Sequence, residues 1–350
     1  MDFVFEFNKG HVTVPEGVKR IPGHAFSEPE QILSVTLPST LEELEEHAFE
    51  GCSRLRSVCL PEGLRIVDDH SFAHCESLEE LEFPAGLHTV GDECFEHCTS
   101  LRSVYFPDSV ENLGRAMFYG CKSLEAVRFP AGTKIFDLSG SGIRSFELPE
   151  GVELIDFYQC RELEGLSIAR SVREIEYRSF AGCAALKELI IPEGISSVGD
   201  FAFENCTSLE RVHIPDSVKR IGRRAFAGCK KLVSLRLPVG LERLEDECFE
   251  NCADLSRLEL PPTLESIGDE CFAGCGALKE LDIPAPVQHI GKNAFAGAGL
   301  ERINCQVKSL LTAENIRGTP YGERKGICSH CGGRLGLFGC GRCKGKRKYK

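Results

Sequence analysis

Apolar residues in this chain recur in a short cycle rather than along one face of long helices. In the stretch Arg211-Val212-His213-Ile214-Pro215, Val212 and Ile214 alternate with Arg211 and His213. Alternation at period two over so few residues predicts a half-buried strand. Pro215 ends it, because proline cannot donate to a strand ladder. A second apolar pair, Val218 and Ile221, comes next, and Gly222 marks a turn. Ala-Phe-x-x-Cys-x-x-Leu then leads into another strand of the same kind.

This cycle has a fixed length. Prolines recur every 23 residues from Pro15 to Pro130 and again from Pro192 to Pro284. Between the blocks, Pro149 and Ala169 give spacings of 19, 20 and 23 residues, so two turns are shortened. A phenylalanine keeps step, from Phe26 to Phe118 and from Phe180 to Phe295. No single unit can bury its apolar residues alone, but stacked units can, with Phe on Phe and Leu on Leu. The predicted fold is therefore a mainly β repeat solenoid of about 13 turns with parallel strands.

Residues 15–305 form the array, with the shortened units near 131–169. Residues 1–14, where Phe3, Phe5 and Phe7 alternate with Val4 and Glu6, read as a capping strand or hairpin. Residues 306–325 read as a cap and linker, Ser309 to Arg317 having helix-like composition. Residues 326–350 form a separate basic module.

The unit resembles the BspA-type leucine-rich repeat over about residues 10–305. That resemblance implies a parallel-stranded solenoid used mainly for protein–protein recognition, often on bacterial surfaces. It keeps open an exported bacterial adhesin as an alternative function, at the cell surface. The first residues, Met1-Asp2-Phe3-Val4-Phe5-Glu6, carry neither a basic nor an apolar leader region, so the expected location is the cytoplasm. No apolar run approaches the ~20 residues that a membrane helix needs.

Cysteine usage supports a reduced compartment. An odd 19 cysteines cannot all pair within one chain. Ten stand three residues after the Phe slot, from Cys52 to Cys275, and are expected to pack as reduced, small hydrophobes. Cys94, Cys248 and Cys271 replace the alanine before the Phe and read as core. Cys59 is expected to point outward from a strand. Ser141 and Ala298 take the ladder position in two turns.

Four more cysteines form Cys328-x2-Cys331-x8-Cys340-x2-Cys343, with glycines after the knuckle cysteines. Four thiolates complete the tetrahedron of Zn²⁺ without an open position, so one structural zinc is expected. An iron centre or disulfides are the alternatives. Residues 326–343 resemble a short zinc ribbon of the rubredoxin-knuckle kind, with His330 as a spectator.

Charge divides along the same boundary. Residues 317–350 hold ten Lys or Arg and one acid, a formal +9, which leaves −21 on the preceding 316 residues. Lys344, Lys346, Arg347, Lys348 and Lys350 could meet nucleic acid. Only Phe338 and Tyr349 are available for base stacking, so that reading is an alternative to protein binding.

No phosphate-cradling loop, nucleophile elbow or His-Glu-x-x-His motif appears. A non-catalytic protein is expected, with no small-molecule substrate. His24, His47 and His70 share one column in three consecutive turns. They read as a solvent-facing row, with metal binding or pH sensing as the alternative. His74 and His97 fill a slot otherwise held by Gly or Asn, which predicts positive φ. Carboxylates are assigned to surface columns, where they serve solubility and partner choice. The outward residues of the strands form the natural contact surface for a protein partner. Tyr105 with Arg102 and Arg128 is one candidate hot spot, and Ile190, His213 and Val233 are a second.

Overall fold

The computed structural model describes residues 6–327 and the short strands Leu335–Gly336 and Gly339–Cys340. It divides into two compact units. The first comprises residues 1–145 and 156–163, the second residues 146–155 and 164–350. Both are parallel β solenoids, and together they hold about 13 turns.

Most full turns contribute two very short strands. In the second unit, Glu188–Ile190, Arg211–His213, Ser234–Arg236 and Arg257–Glu259 form one parallel sheet. Their register pairs residues 23 apart, so Leu189, Val212, Leu235 and Leu258 align and point inward. The second apolar residue after each proline lies in a second ladder, as in Glu174–Ile175, Ser197–Val198 and Arg220–Ile221. The sequence marks that residue as apolar without marking it as part of a strand. The first unit has the same two ladders, Glu80–Glu82, Ser103–Tyr105 and Ala126–Arg128 in one and five two-residue strands in the other.

One outward position departs from expectation. Residues 57–59 form no strand, although Val58 is buried and Cys59 exposed. Side-chain alternation survives there without backbone pairing.

The core is a column of rings. Phe180, Phe203, Phe226, Phe249, Phe272 and Phe295 stack with centroids 5.2 to 5.9 Å apart and planes within 10°. All six are fully buried. In the first unit Phe49 and Phe72 stack at 5.3 Å with planes 2° apart.

Gly222 has a stronger requirement than a turn. A methyl group on its Cα would lie 2.6 Å from Asp200 N and 2.7 Å from Gly199 C, so successive turns approach too closely for a side chain. Gly199 meets the previous turn in the same way, 2.6 Å from Glu176 C.

Glu6–Asn8 pairs antiparallel with His11–Thr13, and His11–Thr13 pairs parallel with Ser34–Thr36. Lys9 and Gly10 make the connecting turn with φ of 51° and 90°. At the other end the helix-like reading of Ser309–Arg317 is corrected. A 3-10 turn occupies Lys308–Leu310, and an α-helix spans Pro320–Arg324. Asn315 and Arg317 instead extend the repeat, their carbonyls accepting from Phe295 N at 3.0 Å and Gly297 N at 3.1 Å. Helix formation waits for Thr319, whose hydroxyl accepts from Gly322 N at 2.9 Å, and for Pro320 at the first helical position.

Candidate functional site

Strand alternation sends every second side chain to solvent, which builds a continuous outward face on each unit. In the first unit, Tyr105 and Arg128 are register partners on adjacent strands, and Arg102 is exposed just before the first of them. Tyr105 is 56% exposed. The Arg128 guanidinium donates to both carboxylate oxygens of Asp108 at 3.2 Å.

In the second unit, Ile190 and His213 are register partners, and Arg236 is the next residue along. Ile190 is 71% exposed, the most exposed large apolar side chain among the described residues. Arg236 donates to Asp216 at 3.0 Å. That hydrogen bond, with one from Val239 N, holds the Asp216 carboxyl below its ordinary range. Val233 is exposed but stands three residues ahead of Arg236 in its own turn, in a different column from Ile190. The register joins Ile190 to His213 and Arg236, with Val233 just ahead of the third strand, as Arg102 is ahead of Ser103–Tyr105.

A cleft of about 570 Å³ lies in the first unit at its shortened turns. Lys122, Arg144 and Arg161 stand on its wall with Glu162, His97 and Tyr119. This concentration of cations on an acidic array has no counterpart in the sequence reading, because the residues come from separate turns.

Two structural roles were also missed. Carboxylates next to the close-approach glycines accept backbone N–H groups from the following turn. Asp69 accepts from Asp92 N at 2.7 Å, Asp92 from Arg115 N at 2.7 Å, and Asp269 from Lys292 N at 2.6 Å. These acids tie one turn to the next, beyond the solubility role first assigned to them. The ladder cysteines act likewise. Each of Cys75, Cys98, Cys121, Cys206, Cys229, Cys252 and Cys275 donates its thiol to the Phe carbonyl of the preceding turn at 3.0 to 3.3 Å. Burial pushes the thiols of Cys160, Cys206 and Cys275 up to about 12. The described cysteines from Cys52 to Cys305 form no disulfides.

The histidine column faces solvent at His24, whose side chain is 70% exposed, and is half-buried at His47 and His70. Its rings stack, His24 on His47 at 5.0 Å and His47 on His70 at 4.8 Å. The His47 and His70 side chains are only 28% and 27% exposed. All three have positive φ, between 52° and 62°. His74 and His97 have φ of 59° and 56°, as their slot requires.

The proposed zinc ligands Cys328, Cys331, Cys340 and Cys343 lie outside the described residues, apart from the backbone strand that includes Cys340. The basic residues Lys344, Lys346, Arg347, Lys348 and Lys350 lie outside them too. Among the described residues, no helix is long and apolar enough to cross a membrane.

Six copies of the BspA type leucine rich repeat region match residues 3–125, 152–223 and 196–315. No curated protein matches the chain. A leucine-rich repeat protein from Bacteroides ovatus is 26% identical, with a TM-score of 0.79, covering 88% of this chain and 89% of that one. A leucine-rich repeat protein from Eubacterium ventriosum is 22% identical, with a TM-score of 0.61, over 83% of this chain and 90% of that one. A leucine rich cell surface protein from Faecalibacterium prausnitzii is 23% identical, with a TM-score of 0.54, over 78% of this chain and 87% of that one.

Proposed function

This chain belongs to the BspA-type leucine-rich repeat family, and on that premise we propose that it is a non-catalytic protein-binding or scaffold protein. Recognition takes place on the outward strand face. The observation that carries this reading is the exposed Ile190 beside His213 on a rigid sheet, with Tyr105 and Arg128 forming a second anchor. Side chains held by strand register lose little freedom on docking, which favours them as hot spots. The C-terminal module is a structural zinc ribbon through Cys328, Cys331, Cys340 and Cys343, and serves as a second contact. The protein acts in the cytoplasm. An exported adhesin is the alternative that the family favours.

Capture of partners by the full-length chain tests the face. Ile190→Asp and Tyr105→Ala are expected to lose a protein that the wild-type chain retains, each by about tenfold or more. Retention by both variants, with loss on removing the charges of Lys344 to Lys350, would move recognition to the tail. Capture that then fell steeply with salt and after nuclease treatment would indicate nucleic acid.

Metal analysis of the reduced full-length chain tests the ribbon. Cys328→Ser with Cys331→Ser is expected to remove one tightly held zinc per chain. An unchanged zinc content in that variant refutes the assignment.

A further inference from the structure

One three-residue relation recurs on the edge beside the Phe column. A residue two before the Phe approaches the residues 23 and 26 positions later, in the next turn. In the second unit these are Arg224, Glu247 and Glu250. The Arg224 guanidinium donates to Glu247, to Glu250 Oε2 at 2.9 Å and to Glu204 at 2.9 Å. The bay is anionic, and the chain supplies its own cation.

In the first unit the same three places hold His24, His47 and Glu50. Two neutral nitrogen donors beside one carboxylate here replace the arginine and one of its acids, a donor set that suits a borderline divalent metal. Glu50 Oε2 lies 3.0 Å from His47 Nδ1 and 3.7 Å from His24 Nδ1. All three donor atoms lie within 4.8 Å of one another. A tetrahedral Zn²⁺ with ligands at about 2.1 Å sets its donors about 3.4 Å apart, between the two shorter separations.

The state of His47 adds a second, independent indication. Its Nδ1 is closed off from solvent and makes no hydrogen bond, because Glu50 is near but badly aligned. Glu46 Oε1 stands 3.0 Å from the other ring nitrogen, Nε2. With a carboxylate 3.0 Å from each ring nitrogen, a metal at Nδ1 would leave the proton on Nε2 beside Glu46, the usual support for a ligating histidine. The His24 and His47 rings stack with planes 10° apart, so the exposed His24 ring turns from the stack to bring its nitrogen onto the ion.

We propose that His24, His47 and Glu50 form a divalent-metal site of zinc type on the first unit. Two imidazoles and one carboxylate bind the ion, and water from the exposed His24 side completes its coordination. The site is independent of the cysteine module and of the strand face. His70, Glu93 and Glu96 repeat the relation with wider separations, 3.9 and 4.0 Å, and a single imidazole, and are left out of the proposal.

The test is a Zn²⁺ titration of the reduced full-length chain carrying Cys328→Ser and Cys331→Ser, which silences the tail. One equivalent is expected to bind, with shifts in the imidazole NMR signals of His24 and His47. His47→Asn in that background keeps a residue suited to positive φ. It is expected to weaken binding by more than the about 100-fold that loss of an outer-shell partner can cost. His74→Asn, on a neighbouring column, is expected to leave binding unchanged. Absence of zinc uptake by the parent chain overturns the proposal, and so does equal affinity in the parent and His47→Asn chains. A native circular dichroism spectrum for His47→Asn separates lost ligation from lost fold.

Discussion

Phe226→Ala is expected to destabilise the second unit by about 3–5 kcal/mol, among the largest effects available to one substitution. Phe226 is fully buried, its ring centroid 5.2 Å from Phe203 and 5.6 Å from Phe249. Neither neighbour can move into the gap. Each belongs to a turn whose backbone is tied to the next, as Phe203 N donates to Ala225 O and Phe226 N to Cys248 O. The vacated space therefore persists as a cavity, and cavity volume adds to the lost transfer energy. Stability in a repeat array is a sum of turns and of nearest-neighbour interfaces, and this substitution damages two interfaces at once. Urea unfolding followed by circular dichroism measures it as a lowered midpoint. For Phe26→Ala, in the first unit, the cost is expected to be smaller, because Phe26 is 9% exposed and its ring is tilted 35° to that of Phe49. A loss at Phe226 under about 1 kcal/mol would mean that the ring column is not what holds the turns together.

The architecture was legible because the constraints that build it select residue type. A ring column accepts Phe, an inward corner accepts a small thiol, and the slot two after the Phe needs positive φ. Gly, Asn or His therefore dominates that slot, and Asn205, Asn251, His74 and His97 all have φ of 56° to 59°. A second positive-φ column, two before the Phe, left no such mark. It holds His47, Glu93, Ala116, Arg178, Phe201 and Arg224. Left-handed backbone costs roughly 1–2 kcal/mol for an ordinary residue. Here each turn offsets it with inter-turn bonds, as when His47 N donates to Asp69 O at 2.9 Å and Arg224 N to Asp246 O at 3.0 Å. Residue identity is then free to vary, and the sequence does not betray the conformation.

Sites made between turns were harder to read. The glycine at 222 looked like a turn residue, yet its reason is the backbone 2.6 Å away in the preceding turn. The acids at 69, 92 and 269 looked like solvated charge because their partners are backbone groups 23 residues on. The His24, His47 and Glu50 group was half visible. The histidine column shows in the 23-residue period, but Glu50 joins it only through the stacking of one turn on another. The four-cysteine spacing is plain in sequence because a metal knuckle is local. A partner leaves no comparable trace, since an outward column varies whether it binds or is merely solvated.

Thiol labelling separates the cysteines by their physical state, and the expected contrast is large. In the native, reduced chain, Cys59 is expected to react rapidly, Cys305 more slowly, and the 13 buried cysteines only on unfolding. Two routes to the reagent are each suppressed. The reagent attacks the thiolate, and in the closed chain burial holds thiols such as Cys206 at about 12, against about 8.5 for an exposed cysteine. Through an opened turn the thiol ionises normally, but the rate follows the small population of the open form. The thiolate difference predicts suppression in the closed chain by a factor of about 1,000 or more. The same shift fixes the pH dependence. A buried thiol holds its proton more tightly folded than unfolded. Its stabilising share is therefore complete below about pH 8.5 and falls as pH rises toward 12. Alkaline unfolding is expected to begin in that window, with all 13 buried thiols becoming reactive as it does. Mass spectrometry of a native labelling time course reads both arms. Rapid modification of Cys206 or Cys229 at pH 7 in folded protein would show that the ladder is open to solvent, and would remove the thiol-to-carbonyl bonds from the account of how turns are joined.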